Sequence, residues 1–500
     1  MAQIDPNRVL SDLRELATFG AYKTGVHRPT FSDVDIAARH WFLGKLKEAG
    51  LKPKIDGIGN LYGISPGEGP KVLSGSHIES QNQAGWLDGA LGMIYALEAA
   101  RSIGEGVDVI GFCDEEGHFG SFIGSRSFTG LLEEEEIDRL ANRYDGTPLR
   151  TALERVGLAG VERRQVVPGQ YRAFFEAHIE QGDTLESGGQ KIGVVSAIVA
   201  IWQYRIVATG EQNHAGTTSM TRRRDAGLAI TRLLGEIDRR FPEFAGPRTV
   251  WTTGRITLEP GAPSIIPGRA ECLFQFRDAD QTVLDRLDGE LRRLVEDANH
   301  GHCEVKLEVM GQSKPARMSE RLEAVLADAA EARVPGGWLR MPSGAGHDAQ
   351  YLAPVMPAAM MFVPSIGGIS HHWTENTSDE DIVLGAQVFS DAIEAVVKAG
   401  CPARHPGPER SAGKWDPDGS QAGLYPPPAR SAGVVADTRA SRLVIGLRVA
   451  PHERADRAMA GRAADREGRA DGDGGEAEER VRARLGADRG DGEARDDRDG

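Results

Sequence analysis

Residues 71–103 read KVLSGSHIESQNQAGWLDGALGMIYALEAARSI. An apolar run at 71–74 passes into the polar cluster Gly75-Ser76-His77-Ile78-Glu79, and Asp88-Gly89 then opens an apolar, helix-length segment at 89–103. A buried strand, a loop bearing an imidazole and carboxylates, and a helix form one unit of an α/β sheet, where chemistry collects at strand ends. The pattern recurs. Apolar runs at 107–113, 171–177 and 358–363 lead toward Asp114-Glu115-Glu116-Gly117, Glu176-Ala177-His178-Ile179-Glu180-Gln181-Gly182 and Gly368-Ile369-Ser370-His371. Upstream, residues 33–50 place Ile36, Ala37, Trp41, Leu43 and Leu46 on a helical period, begin at Ser32/Asp33 and stop at Gly50.

Residues 203–314 differ. Strand-like runs at 204–209 and 269–277 accompany amphipathic helices at 221–241 and 281–299, a β-α-β-β-α-β flavour that predicts a smaller α+β domain inserted into the larger one. Composition shifts near residue 400: residues 401–500 hold 17 Arg but only Lys414, and the one short apolar stretch, 443–447, is too little for a core. The segment is expected to be a disordered, low-complexity tail.

The net charge of −15 argues against a general nucleic-acid or anionic-membrane binder, and no apolar run approaches the roughly 18 residues of a membrane span. The N-terminus lacks a basic region followed by an apolar core, so no secretory signal is expected. Cys113, Cys272, Cys303 and Cys401 are widely spaced and form no CxxC pair, which predicts neither a disulfide framework nor a thiolate site and points to the cytoplasm.

Three imidazoles with several carboxylates and no thiolate suit a borderline-to-hard divalent cation such as zinc, manganese, cobalt or nickel. A single histidine near a strand end is more often a surface or hydrogen-bonded residue, and Asp-Glu-Glu is more often a solvated helix start. Their joint occurrence after separate buried strands is what that blander reading explains poorly.

These motifs resemble the hydantoinase/carbamoylase-type amidases of the M20 metallopeptidase group, which include N-carbamoyl-L-amino-acid hydrolases, allantoate amidohydrolases and β-ureidopropionase-like enzymes. The resemblance spans about residues 33–399 and is carried by 75–92, 114–130, 178–186, 214–225, 254–277, 342–349 and 362–377, with HAGTTSM, SGAGHDA and FVPSIGGISH its longest pieces. It implies a mixed-sheet catalytic domain (1–202 and 315–400) around a lid/dimerisation domain of ferredoxin-like type (203–314), a homodimer, and two divalent metal ions per subunit. His77 and His178 would complete one metal site and Glu116 and His371 the other, with Asp88 bridging. Glu115 matches the general base acting on a water acidified between the two cations. Arg277 matches the residue that binds a small-molecule substrate's carboxylate, and His214 the residue that stabilises the oxyanion from the partner's lid. Gln181 and His347 match further substrate contacts. His118 and His372 match no ligand position and are read as surface residues.

The chain also departs from the family pattern. Glu79 stands where relatives have the Asp that orients the ligand histidine, a supporting role worth about 10–100-fold in affinity or activity. Ser264 replaces a substrate-contacting Asn, Trp86 adds an indole beside the metal motif, and Gln275 replaces an Asp near Arg277. The resulting expectation is hydrolysis of the carbamoyl C–N bond of an N-carbamoyl-amino acid or related ureido acid. An allantoate amidohydrolase, an M20 aminoacylase or dipeptidase, and an inactive binding protein are the rivals. His178 and the intact Glu115 count against the last two.

Overall fold

The computed structural model describes residues 2–399, so the tail expected from residue 401 lies outside the described residues. After helix α1 (Pro6–Thr18), helix α2 (Asp33–Glu48) starts where the sequence predicts. The Ser32 hydroxyl accepts from the Asp35 N–H, and Asp33 with Asp35 at the first turn and Lys45 with Lys47 at the last suit the helix dipole. Strands β1 (Lys52–Ile55), β2 (Leu61–Ile64) and β3 (Lys71–His77) follow, then helix α3 (Ala90–Ile103) and strands β4 (Val107–Phe112), β5 (Tyr171–Ile179) and β6 (Ile192–Ile198).

The chain then builds a second sheet in the order β-α-β-β-α-β. Its elements are β7 (Ala200–Thr209), α4 (Ala226–Arg240), β9 (Val250–Glu259), β11 (Arg269–Asp278), α5 (Gln281–Ala298) and β12 (Glu304–Gln312). Two short strands, β8 (Asn213–His214) and β10 (Ile265–Ile266), pair only with each other. Strands β13 (Ala316–Arg317), β14 (Trp338–Ser343) and β15 (Ala358–Val363), with helices α6 (Glu320–Arg333) and α7 (Asp379–Lys398), return to the first sheet.

That first sheet is mixed and nine-stranded, ordered β13-β6-β15-β5-β3-β4-β2-β1, with β14 also pairing β6. Strands β15, β5, β3 and β4 run parallel. Helices cover the sheet, so these four strands are buried nearly throughout rather than alternating between buried and exposed residues. In β5 the period of two sends Phe175, Ala177 and Ile179 into the core shared with α1, α3 and α7, while Phe174 joins Phe112, Phe128 and Met360 on the other face. Glu176 and His178 fall on the Phe174 side by the same alternation.

The four-stranded sheet is antiparallel, ordered β9-β11-β7-β12. Trp202, Tyr204, Ile206 and Ala208 alternate with more exposed residues in β7, as do Ala270, Cys272, Phe274 and Phe276 in β11, and they pack on Ile230 and Leu233 of α4 and Leu287 and Leu291 of α5. This is a core of its own, although contacts do not divide the described residues into separate bodies. Strand β9 lies at the sheet edge with Val250, Ile256 and Leu258 exposed. Cys113, Cys272 and Cys303 are free and buried, and among the described residues no helix is long and apolar enough to cross a membrane.

Phe241 anchors the second core, its ring 5.6 Å from Trp251 and 5.8 Å from both Phe274 and Phe276. Phe241→Ala is expected to destabilise that core by about 3–5 kcal/mol. Urea unfolding followed by tryptophan fluorescence measures this, and a loss under about 1 kcal/mol would contradict the packing described.

Candidate active site

Four parallel strands bring their C-terminal ends to one edge of the sheet. Strand β3 ends at His77, β5 ends one residue past His178, the chain leaving β4 carries Glu115 and Glu116, and the chain leaving β15 carries His371. Asp88, in the loop before α3, stands among them. Its Oδ1 lies 3.5 Å from His77 Nε2 and 3.0 Å from His178 Nε2, and its Oδ2 lies 3.2 Å from His371 Nε2. His371 Nε2 is 3.8 Å from Glu116 Oε2. Two donor sets, His77/Asp88/His178 and Asp88/Glu116/His371, thus share one carboxylate, with the candidate ligand atoms of each set within 4.8 Å of one another. Glu115 Oε2 stands 3.8 Å from His77 Nε2.

The donor chemistry fits divalent cations. Nδ1 of His77 faces the Glu79 main-chain carbonyl at 3.0 Å, and Nδ1 of His178 faces the Ile179 carbonyl at 2.9 Å. A carbonyl only accepts, so these contacts place a proton on Nδ1 and turn each Nε2 toward Asp88, where it donates to the carboxylate in the absence of a cation and would be the ligating atom with one bound. The space around His77 is made by Gly89, which caps α3 at φ +67°: a Cβ there would lie 2.4 Å from the imidazole. Non-glycine residues held in the left-handed region include Gln83, Asp114, Gln181 and His371, all in the loops of this site. Such conformations cost of order 1–3 kcal/mol each and persist only where the surroundings impose them.

Charge is the dominant feature of the pocket. Against burial, which alone would raise it, hydrogen bonds from His178, His371 and His77 hold the Asp88 carboxyl well below the usual range. Burial pushes the Glu115 carboxyl well above that range, and Glu116, Asp348 and Asp88 reinforce the shift while His77 opposes it. Burial and Asp88 push Glu375 up to about 7, although its Oε1 accepts the peptide N–H groups of Leu87 and Asp88 and its Oε2 the Ser370 hydroxyl.

Among the residues singled out as substrate contacts, Gln181 and His347 join the cluster. Gln181 Nε2 donates to Asp88 Oδ2 at 3.0 Å and to Ser370 Oγ at 3.2 Å. His347 is buried edge-on to His178, ring centroids 4.6 Å apart, with Nε2 2.9 Å from Ser343 Oγ and no hydrogen-bond partner for Nδ1 among the described residues. Burial and His178 hold it well below the usual imidazole range. Arg277, on β11, donates to the main-chain carbonyl of Gly344 at 3.1 Å and so touches the loop that carries His347, and Gln275 supplies it a neutral acceptor at 3.5 Å. His214 and Ser264 are not brought to the cluster. Both are exposed at the short β8–β10 ladder, where His214 Nδ1 accepts from the Gly216 and Thr217 N–H groups and the Ser264 carbonyl accepts from Ala215.

Two expectations are corrected. His118 is fully buried rather than on the surface: its Nδ1 lies 3.2 Å from Thr30 Oγ1, and its N–H is one of three, with those of Phe119 and Gly120, that the Asp114 carboxylate gathers into a turn. Asp114-Glu115-Glu116 is therefore a tight buried turn and not a solvated helix start. The Glu79 carboxylate does not clamp His77. It stands 3.9 Å from Nδ1, whose partner is the Glu79 main chain. His372 is exposed, as expected, and the Trp86 indole donates to Asn376 Oδ1 at 3.3 Å.

Sequence reasoning also passed over Gln81 and Glu375. The Gln81 side chain donates to Glu116 Oε2 at 2.9 Å, its main-chain N–H reaches Glu116 Oε1 at 3.0 Å, and Arg143 in turn donates to Gln81. The only available signal was position, each lying four residues past a motif histidine (His77, His371).

Residues 79–395 match the model of the Peptidase family M20/M25/M40. The chain belongs to that family. It is 32% identical over 404 residues to an N-carbamoyl-L-amino-acid amidohydrolase of Paenarthrobacter aurescens, covering 78% of this chain and 97% of that one. It is 33% identical to the allantoate amidohydrolase of Escherichia coli K12 over 75% of this chain and 94% of that one. Among solved structures, an amidase of the hydantoinase/carbamoylase family from Burkholderia phymatum superposes with a TM-score of 0.75 at 44% identity, covering 80% of this chain and 99% of that one. M20 enzymes are metal-dependent hydrolases, in keeping with the two donor sets.

Gly89→Ala tests the packing of the donors. The added methyl is expected to drive the His77 ring from Asp88 and to weaken retention of a divalent cation by at least about tenfold, the lower end for disturbing a ligand's support. Metal content after dialysis against graded chelator measures it, with circular dichroism as the check on folding. Wild-type retention would show that His77 is not held by this contact.

Proposed function

We propose that this protein is a metal-dependent amidohydrolase that cleaves the carbamoyl C–N bond of an N-carbamoyl-amino acid or related ureido acid, releasing the amine, ammonia and carbon dioxide. The observation that carries the reading is Asp88, one carboxylate whose two oxygens face separate donor sets, with the buried Glu115 beside it. His77, Asp88 and His178 would hold one cation and Asp88, Glu116 and His371 a second, zinc or else manganese, cobalt or nickel. Bound there, the cations supply Lewis acidity that polarises the scissile carbonyl and acidifies the attacking water.

The protein's own groups do the rest. Glu115 takes the water's proton and returns one to the leaving nitrogen, and its buried place beside His77 keeps that transfer away from bulk water. Arg277 offers a planar fork to the substrate carboxylate, while Gln181 and His347 orient the ureido group over the cluster. Residues 203–314 act as a ferredoxin-like lid and dimerisation domain on a catalytic domain of 1–202 and 315–400. His214, whose hydrogen bonds within its own chain are all local, completes the oxyanion site of the partner subunit, and Ser264 beside it contacts substrate. The exposed apolar side chains of edge strand β9 support a homodimer formed through this sheet. A cytoplasmic location accords with the free, buried cysteines. The relatives named for carbamoyl and allantoate substrates favour this reading over an aminoacylase, and a panel of N-carbamoyl-α-amino acids, N-carbamoyl-β-alanine, allantoate and N-acetyl amino acids tests it. Turnover of the N-acetyl compounds alone would overturn it.

Glu115→Gln is expected to lower kcat by roughly 10²–10⁴-fold with metal content nearly intact, because the amide keeps the shape but cannot accept a proton. Rate loss that tracks metal loss would instead make Glu115 a ligand. A second test mixes chains. His214→Ala and Glu115→Gln proteins should each be nearly inactive, while exchanged heterodimers hold one intact site and recover about a quarter of wild-type activity, since residues acting as a unit do not show their worth singly. No recovery despite proven subunit exchange would remove His214 from the partner's site.

A further inference from the structure

Glu79 departs from the family pattern by one methylene, and the structure shows where the extra reach goes. Its Oε1 accepts the main-chain N–H of Glu115 at 2.7 Å, and its Oε2 accepts from Arg39 Nη2 at 2.8 Å. Arg39 is itself immobilised, with Nε on Asp35 Oδ2 and Nη1 on the Gly59 carbonyl, both at 2.8 Å. Asp35, Arg39 and Glu79 are all essentially without solvent access. The far side of Glu115 is pinned as well: Phe122 N–H reaches its carbonyl at 3.3 Å, and Asp114, immediately before it, is held at φ +57° by the turn its carboxylate organises. His77, by contrast, is held by the main chain of residue 79, which does not depend on the side chain.

We propose that Glu79, braced by Arg39 and Asp35 from helix α2, is a positioning residue for Glu115 rather than for the ligand histidine. This rests on the reading of Glu115 as proton acceptor. A charge-assisted bond to a peptide N–H is short and directional, so a fixed carboxylate fixes the backbone from which the Glu115 side chain projects. An aspartate at position 79 would stop about 1.5 Å short, one carbon–carbon bond, and could not serve Arg39 and the Glu115 N–H together. Misplacing a reacting group by such a distance costs rate without removing it from the site.

The test uses the full-length, metal-loaded enzyme and the substrate on which the panel finds turnover. Glu79→Asp is expected to lower kcat by about 10–100-fold with KM and chelator-resistant metal content unchanged. Glu79→Gln keeps the reach and an oxygen for the Glu115 N–H, so it should restore most of kcat even if Tm falls through loss of the Arg39 charge pair. In a Glu115→Gln background Glu79→Asp should change kcat by less than about twofold, because two residues acting through one group are not additive. Wild-type kcat in Glu79→Asp, metal loss in proportion to rate, or the full loss repeated on top of Glu115→Gln would each overturn the proposal. A fully active Glu115→Gln would overturn the reading of Glu115 itself, and with it the role of Glu79.

Discussion

Glu79, Asp88, Glu115, Glu116, Glu176 and Asp348 are all buried around the ends of four parallel strands, and the burial of like charge at this density is the constraint the rest of the structure answers. An uncompensated buried charge is expensive, and carboxylates crowded together resist joint ionisation. The protein answers in three ways. It opposes Glu79 with Arg39, a guanidinium whose charge Asp35 and Glu79 secure despite its burial. It supplies neutral donors, as when Glu176 accepts from Ser76 and the Ala349 N–H. It surrounds Asp88 with three imidazoles. A pair of divalent cations between the two donor sets would offset the negative charge that remains. Removing one partner of a buried pair such as Arg39–Glu79 typically costs about 3–5 kcal/mol, so the arrangement tolerates little piecemeal change.

Much of this was legible in the chain. Runs 71–74, 107–113, 171–177 and 358–363 announce buried parallel strands because a strand covered on both faces has no polar side to betray its period. The donors His77, Asp88, Glu116, His178 and His371 stand out because each follows or flanks such a run. The second sheet was readable for the opposite reason, its alternation and its two amphipathic helices.

What was not legible depends on partners distant along the chain. Nothing local to Arg39 says that it meets Glu79, nor to Glu375 that it holds the Asp88 peptide. His118 looked superficial because it follows a glycine in a polar turn, yet Thr30 and Asp114 bury it. The direction of the Glu79 side chain was misjudged for the same reason: a motif identifies the residue, whereas the neighbour that claims its carboxylate comes from helix α2. The local ladder joining His214 to Ile265 has no counterpart in any spacing rule.

The strand order bears on how the protein assembles during synthesis. Strand β15 is the last of the sheet in the chain, yet it lies between β6 and β5, so the strand that carries His178 lacks a neighbour on one side until residues 358–363 have emerged. Pairings this distant along the chain form late, because the loops they close must be ordered first. The donor set has the same reach, from His77 near the start of the sheet to His371 beyond its final strand. A nascent chain can thus present one imidazole pair early but not the complete site, which makes capture of a cation by both donor sets a report that the whole sheet has closed.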